Sequence, residues 1–190
     1  MRVTFTRQTQ CRYGVDVSRE SGPPARLRVV KFDAESLPRE IKHFLVEREF
    51  GLKLGIFGQL AAGGDAGRFW AAPADRDSRL AHLSHRLQVT GRGDLGRSVA
   101  LVAWCTAAWE IETGRRSAGL GAPRWSSEQR TQRSAEPWPL LDVAAVSCEQ
   151  VAAAVQCLAA TALVWNELRP GQRVSFDWPL ALTLTARRSA

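Results

Sequence analysis

His43 and Glu47 stand four residues apart in the segment LPREIKHFLVEREFGL, a spacing that sets an imidazole and a carboxylate one above the other on a helix. A carboxylate beside an imidazole raises the ring's pKa and fixes its orientation, which suits a general acid or base. The same two residues at the same spacing also make an ordinary structural pair, and only a minority of perturbed pairs act on a substrate. The structural pair is the first expectation, and catalysis by His43 and Glu47 on an anionic substrate held by arginines is the second.

The other chemistry-bearing residues point less far. His82 and His85 are three apart on a second helical pattern, opposite its leucine stripe. With His43 and Glu47 they would have to converge across helices to hold zinc, and their spacing matches no zinc signature. No metal and no cofactor are expected. The glycines of Gly55-x-x-Gly58 and Gly63-Gly64-Asp65-Ala66-Gly67 would let backbone amides approach an anion. The run lacks the Lys-Ser/Thr ending of a phosphate loop, and GxGxxG is absent, so a tight connection with glycines at positive φ is the favoured reading. No GxSxG elbow, reactive-cysteine setting or paired glycosidase carboxylates occur.

Position along the chain decides whether these residues can meet. Val3 and Phe5 alternate with Arg2, Thr4 and Thr6, and Cys11, Tyr13, Val15 and Val17 alternate with Arg12, Asp16 and Ser18. Period-2 alternation of this kind predicts two amphipathic strands paired as a hairpin. A third strand is predicted over Arg26–Phe32 with Leu27 and Val29 inward. The far end alternates in the same way, Val174, Phe176 and Trp178 followed beyond Pro179 by Leu180, Leu182 and Leu184.

Between these groups the period becomes helical. Ser36 as N-cap, Pro38 in the first turn and Gly51 just past the end predict a helix over Pro38–Phe50. Its Leu37, Ile41, Phe44, Leu45 and Leu52 fall on one side and His43, Val46, Glu47 and Phe50 on the other, so both sides need cover. Further helices are predicted over Ser78–Val89, over Leu95–Glu112 behind an Asp94 cap, and from a capping box at Ser147 and Gln150 to about Leu168. The run from Val99 to Trp109 is nearly all apolar, which predicts burial on most sides. Residues 114–139, rich in Gly, Ser, Pro and Arg, read as a long basic loop inserted between two core helices.

A chain of 190 residues, 45% hydrophobic and 24% charged, is long enough for one domain with a core of its own. One-sided alternation in every strand argues against a doubly wound parallel sheet. The expected fold is α+β: a mostly antiparallel sheet built from N-terminal and C-terminal strands, with about four helices packed on one face. Four cysteines without a CxxC pair are expected to be reduced, most of them buried. The apolar runs are short of a membrane span and no leader stretch opens the chain, so a soluble cytoplasmic protein is expected. The net charge of +7 suits anions in general. The arginines of the 114–139 loop, interleaved with Trp125 and Trp138, raise nucleic-acid binding as a third and less favoured possibility.

The segment LPREIKHFLVEREFGL followed by GIFGQLAAGGDAG resembles the shared segment of a family of small, uncharacterised bacterial proteins, mainly actinobacterial. In that family a His-Asp dipeptide tends to follow the proline, where this chain has Arg39-Glu40. The resemblance implies no activity, and it leaves His43 and Glu47 as the matching positions to test. The function expected is a small-molecule or partner-binding module whose pocket is lined by the helix 38–50. Phe50, Gly63, Gly64 and Asp65 would serve as ligand-binding residues, and the protein itself is a candidate homodimer.

Overall fold

A computed structural model describes residues 1–19, 24–32, 36–67, 78–115 and 146–178. Among the described residues four strands, β1 (Arg2–Thr9), β2 (Arg12–Ser18), β3 (Ala25–Lys31) and β4 (Arg173–Asp177), join one antiparallel sheet in the order β3-β2-β1-β4. The α+β reading stands: β1 pairs with the hairpin strand that follows it and with a strand from the far end of the sequence. Cross-strand partners such as Val3↔Val17, Val3↔Phe176, Phe5↔Val15 and Phe5↔Val174 put the apolar side chains on one face, because side chains alternate with period two.

Five helices lie among the described residues: α1 (Arg39–Glu49), α2 (Ile56–Ala61), α3 (Ser78–Thr90), α4 (Arg92–Glu112) and α5 (Cys148–Glu167). The short α2 was not foreseen, since its glycines read as a loop. α1, α4 and α5 pack on one another and share a core with the inner face of the sheet. Phe44 of α1 is central, with ring centroids of Phe57, Phe176, Trp178 and Phe5 at 5.0, 5.3, 5.6 and 6.4 Å. Phe57, Trp178 and Phe5 meet the Phe44 ring edge-to-face, which adds attraction to the apolar burial.

α5 is the one described helix long and apolar enough to cross a membrane by length and composition. It packs against α1 and α4, burying Ala154, Val155, Leu158 and Trp165. Ser147 caps it by accepting the Glu149 N–H at 3.2 Å, and Ser147→Ala is expected to remove about 1 kcal/mol of stability in urea denaturation.

Several local expectations are corrected. Ser36 does not cap α1, because Pro38 occupies the N-cap position and the Ser36 hydroxyl accepts from Lys42 Nζ at 2.8 Å. Asp94 lies inside the first turn of α4, where its carboxylate accepts the Leu54 N–H at 2.9 Å. Cys11 sits in the turn between β1 and β2 and is exposed, as is Cys148, while Cys105 is buried; all four thiols are free. From Val99 to Trp109 only Leu101, Val102, Cys105, Ala107 and Trp109 are buried, since neighbouring helices cover α4 on some of its sides and not all. The inner face of the sheet also holds a charge. Arg7 Nη1 donates to the carbonyls of Trp165 and Asn166 at 2.9 and 3.3 Å, satisfying the carbonyl end of α5. Leu180, Leu182 and Leu184, and the loop from residue 116 on, lie outside the described residues.

Candidate functional site

α1 is covered on both sides, as its two stripes require. Ile41, Phe44 and Leu45 join the core under the sheet, and on the other side His43 and Glu47 meet Ser98 of α4. His43, Glu47 and Ser98 are 1%, 0% and 0% exposed. Ser98 Oγ lies 2.8 Å from His43 Nδ1 and donates to Glu47 Oε1 at 2.6 Å. The direct His43 Nδ1 to Glu47 Oε1 separation is 3.8 Å, so the hydroxyl bridges what the i, i+4 spacing leaves slightly too far apart.

The other side of the Glu47 carboxylate faces α2. Oε1 accepts the Ile56 N–H and Oε2 the Phe57 N–H, each at 2.8 Å. α2 starts behind Gly55, which has no side chain with which to cap. Glu47, from another helix, satisfies the first amide donors of α2 as an N-terminal Ser or Asp otherwise would, and its negative charge meets the positive end of the helix. Gly55 makes room for it: a Cβ there would stand 2.5 Å from Glu47 Cδ. The link between α1 and α2 is braced again by Gln59 Nε2, which donates to the Leu54 carbonyl at 2.9 Å.

The hydrogen bonds run in one direction. A guanidinium only donates, so the 3.4 Å contact from Arg39 Nε makes His43 Nε2 an acceptor and places the ring proton on Nδ1. Nδ1–H then donates to Ser98 Oγ, and the hydroxyl passes its own proton toward Glu47. Burial raises the Glu47 carboxyl to about 7, while the bonds from Ser98, Phe57 and Ile56 pull it down and the Asp94 carboxylate pushes it further up. Desolvation outweighs three donors, so the carboxyl is near half-protonation at neutral pH.

The remaining predicted site residues lie elsewhere. Phe50 is the C-cap residue of α1 and packs half-buried at the edge of the core, with Gly51 at φ +63° ending the helix. Gly63, at φ +95°, and Gly64 close α2: the Gly63 N–H donates to Leu60 O at 3.1 Å and the Gly64 N–H to Gln59 O at 2.9 Å, the paired bonds of a Schellman turn. The Asp65 N–H donates to Ser84 Oγ at 3.1 Å, and Asp65 Oδ1 accepts the Gly67 N–H at 2.8 Å. These amides are used within the fold, and the turn presents carbonyls outward: Arg19 Nη1 donates to Leu60 O and Gly64 O at 2.9 and 2.7 Å. The anion cradle suggested by the glycine spacing is therefore replaced by a cation-capped helix end. His82 and His85 are both exposed on α3, and among the described residues no group of three metal-ligating side chains forms.

Sequence reasoning missed Ser98, and it read Gly55 as part of an anion-approaching run and not as the position that makes room for Glu47. The available signals were a hydroxyl at the head of the apolar run of α4 and a glycine directly before an apolar turn without a capping residue. Comparisons of the chain with family models, with curated proteins and with solved structures return no match.

Proposed function

We propose that the protein is a binding module that takes up a small anionic molecule or a partner without turning it over. In this reading α1 is the wall of the binding region, and the His43–Ser98–Glu47 cluster is the brace behind the wall. The observation that carries it is the state of Glu47: 0% exposed, with three donors on its two oxygens. A general base has to reach the proton it removes, and both Glu47 and the Ser98 hydroxyl are enclosed by protein. Cys105 supplies no alternative nucleophile, because burial pushes its thiol up to about 12 and so keeps it protonated.

A second reading, a small enzyme, rests on the unbroken proton path from Glu47 through Ser98 to His43. There His43 would exchange the proton with a substrate and Glu47 would position and recharge it.

His43→Ala separates the two. As part of a brace, its loss leaves Ser98 with Glu47 as its one remaining side-chain partner and opens a cavity, which costs about 2–4 kcal/mol, or roughly 5–10 °C in Tm at this chain length. Thermal-shift titration of the wild-type protein with carboxylated and phosphorylated metabolites is then expected to raise Tm by mass action, with no consumption of the compound by NMR. An unchanged Tm in the variant, together with turnover by the wild type that the variant loses, would replace the first reading by the second.

A further inference from the structure

We infer that the outer face of the sheet, the one the described helices leave bare, is a docking surface for the phosphate backbone of duplex nucleic acid. The inference is independent of the binding region assigned to α1, which lies on the opposite side of the sheet.

Alternation places Thr4, Thr6, Gly14 and Ser175 at the centre of this face, with charged residues around them. At one end the charges cancel: Arg2 pairs with Asp177 at 2.9 Å, and Arg26 pairs with Asp16 at 2.5 Å. At the other end they do not. Arg12 and Lys31 are direct cross-strand partners on β2 and β3, and Arg173 begins β4 opposite Thr6. All three are exposed, and among the described residues none forms an ion pair.

Like charges set directly opposite each other weaken a sheet. A carboxylate at either position would have relieved the strain, as Asp16 does for Arg26. The uncompensated end therefore favours an external anion. Arg173 lies two strands from Arg12, roughly 10 Å across the sheet at the usual strand spacing, so one small anion cannot bridge all three cations and a repeating polyanion can. The described outward positions carry no aromatic side chain on which an unpaired base would stack. Contact is then through phosphates alone, which is sequence-independent and suits a duplex better than a single strand.

The test is fluorescence anisotropy of the full-length protein with a labelled 20-base-pair DNA duplex across a salt series. Three phosphate contacts predict a slope of log affinity against log salt of about −3. The triple variant R12E/K31E/R173E is expected to bind more than tenfold more weakly, and R79E/R86E, on exposed positions of α3, to bind like wild type. Circular dichroism of each variant checks that the fold is retained, and the single variant R173E, at the start of the edge strand, serves if the triple variant does not fold. Binding unchanged in the charge-reversed variants overturns the inference, and so does equal loss in R79E/R86E, which would mean diffuse charge. Binding lost on deletion of residues 114–136 but not on charge reversal assigns the activity to that segment and likewise overturns it. Equally tight binding of poly-glutamate, with the same salt slope, would make the partner an acidic protein and also overturn it.

Discussion

Glu47→Gln is expected to lower the stability of the fold by about 2–4 kcal/mol in urea denaturation, although the side chain changes by a single atom type. The carboxylate accepts from Ile56 N–H, Phe57 N–H and Ser98 Oγ, and an amide offers one oxygen and one NH2 in the same place. At least one donor then meets a donor in a site 0% exposed, and each hydrogen bond lost from a charged acceptor costs about 1.5–3 kcal/mol. The variant also tests the pH dependence. In the folded state the Glu47 carboxyl is raised from 4.5 to about 7, so between those values the folded chain binds more protons than the unfolded one. Stability from this group is complete below pH 4.5 and falls as pH rises through about 7, by about 3 kcal/mol over the window. Urea midpoints at pH 5 and pH 8 are expected to converge in Glu47→Gln relative to wild type. An unaltered pH profile in the variant would mean that Glu47 does not titrate there.

Gly58→Ala is expected to be the most damaging small substitution in the chain, costing more than about 3 kcal/mol and leaving little soluble protein at 37 °C. A Cβ at Gly58 would stand 2.0 Å from the Lys53 carbonyl oxygen and 2.5 Å from the Lys53 carbonyl carbon. Those are backbone atoms and cannot swing aside, so either α2 lifts from the link that precedes it or the link distorts. Overpacking of an ordinary kind costs about 1–3 kcal/mol, and here the displaced group also carries the Glu47 clamp. Gly93→Ala makes the control, because a Cβ at that helical glycine meets nothing within 4 Å, and a helix gains about 1 kcal/mol from the exchange. A Gly58→Ala protein with wild-type Tm would show that α2 is free to shift.

The strands and α1 were legible because their signals are local. Val3 and Phe5, or Tyr13, Val15 and Val17, declare a buried face by alternation, and the structure buries all five. Gly51 stops α1 at the position the sequence marks, adopting the left-handed φ that favours glycine. The pairing of His43 with Glu47 followed from spacing alone, but the group that completes it did not. Ser98 lies 51 residues from Glu47, and nothing in a helical period tells which residue of α4 will face α1. α2 was hidden for a related reason. Six residues are too few to nucleate a helix from propensity, and its cap comes from a side chain nine positions upstream of Ile56. Capping rules that look one to three residues ahead cannot see such a clamp. Asp94 misled in the same way: it has the type and position of an N-cap, yet its carboxylate serves Leu54 across the helix interface.

The strand order carries a consequence for how the chain is made. β1 meets β2 across a tight turn, but its other neighbour, β4, contributes Ser175 to Thr4 from 171 residues away. At about 5–20 residues per second of translation, roughly 10–30 s pass between synthesis of the two. Throughout that interval the nascent meander shows an unprotected rim along β1, the kind of edge that recruits strands from other chains. Rapid overexpression is thus expected to yield inclusion bodies, and slower synthesis or chaperone supply to rescue soluble material.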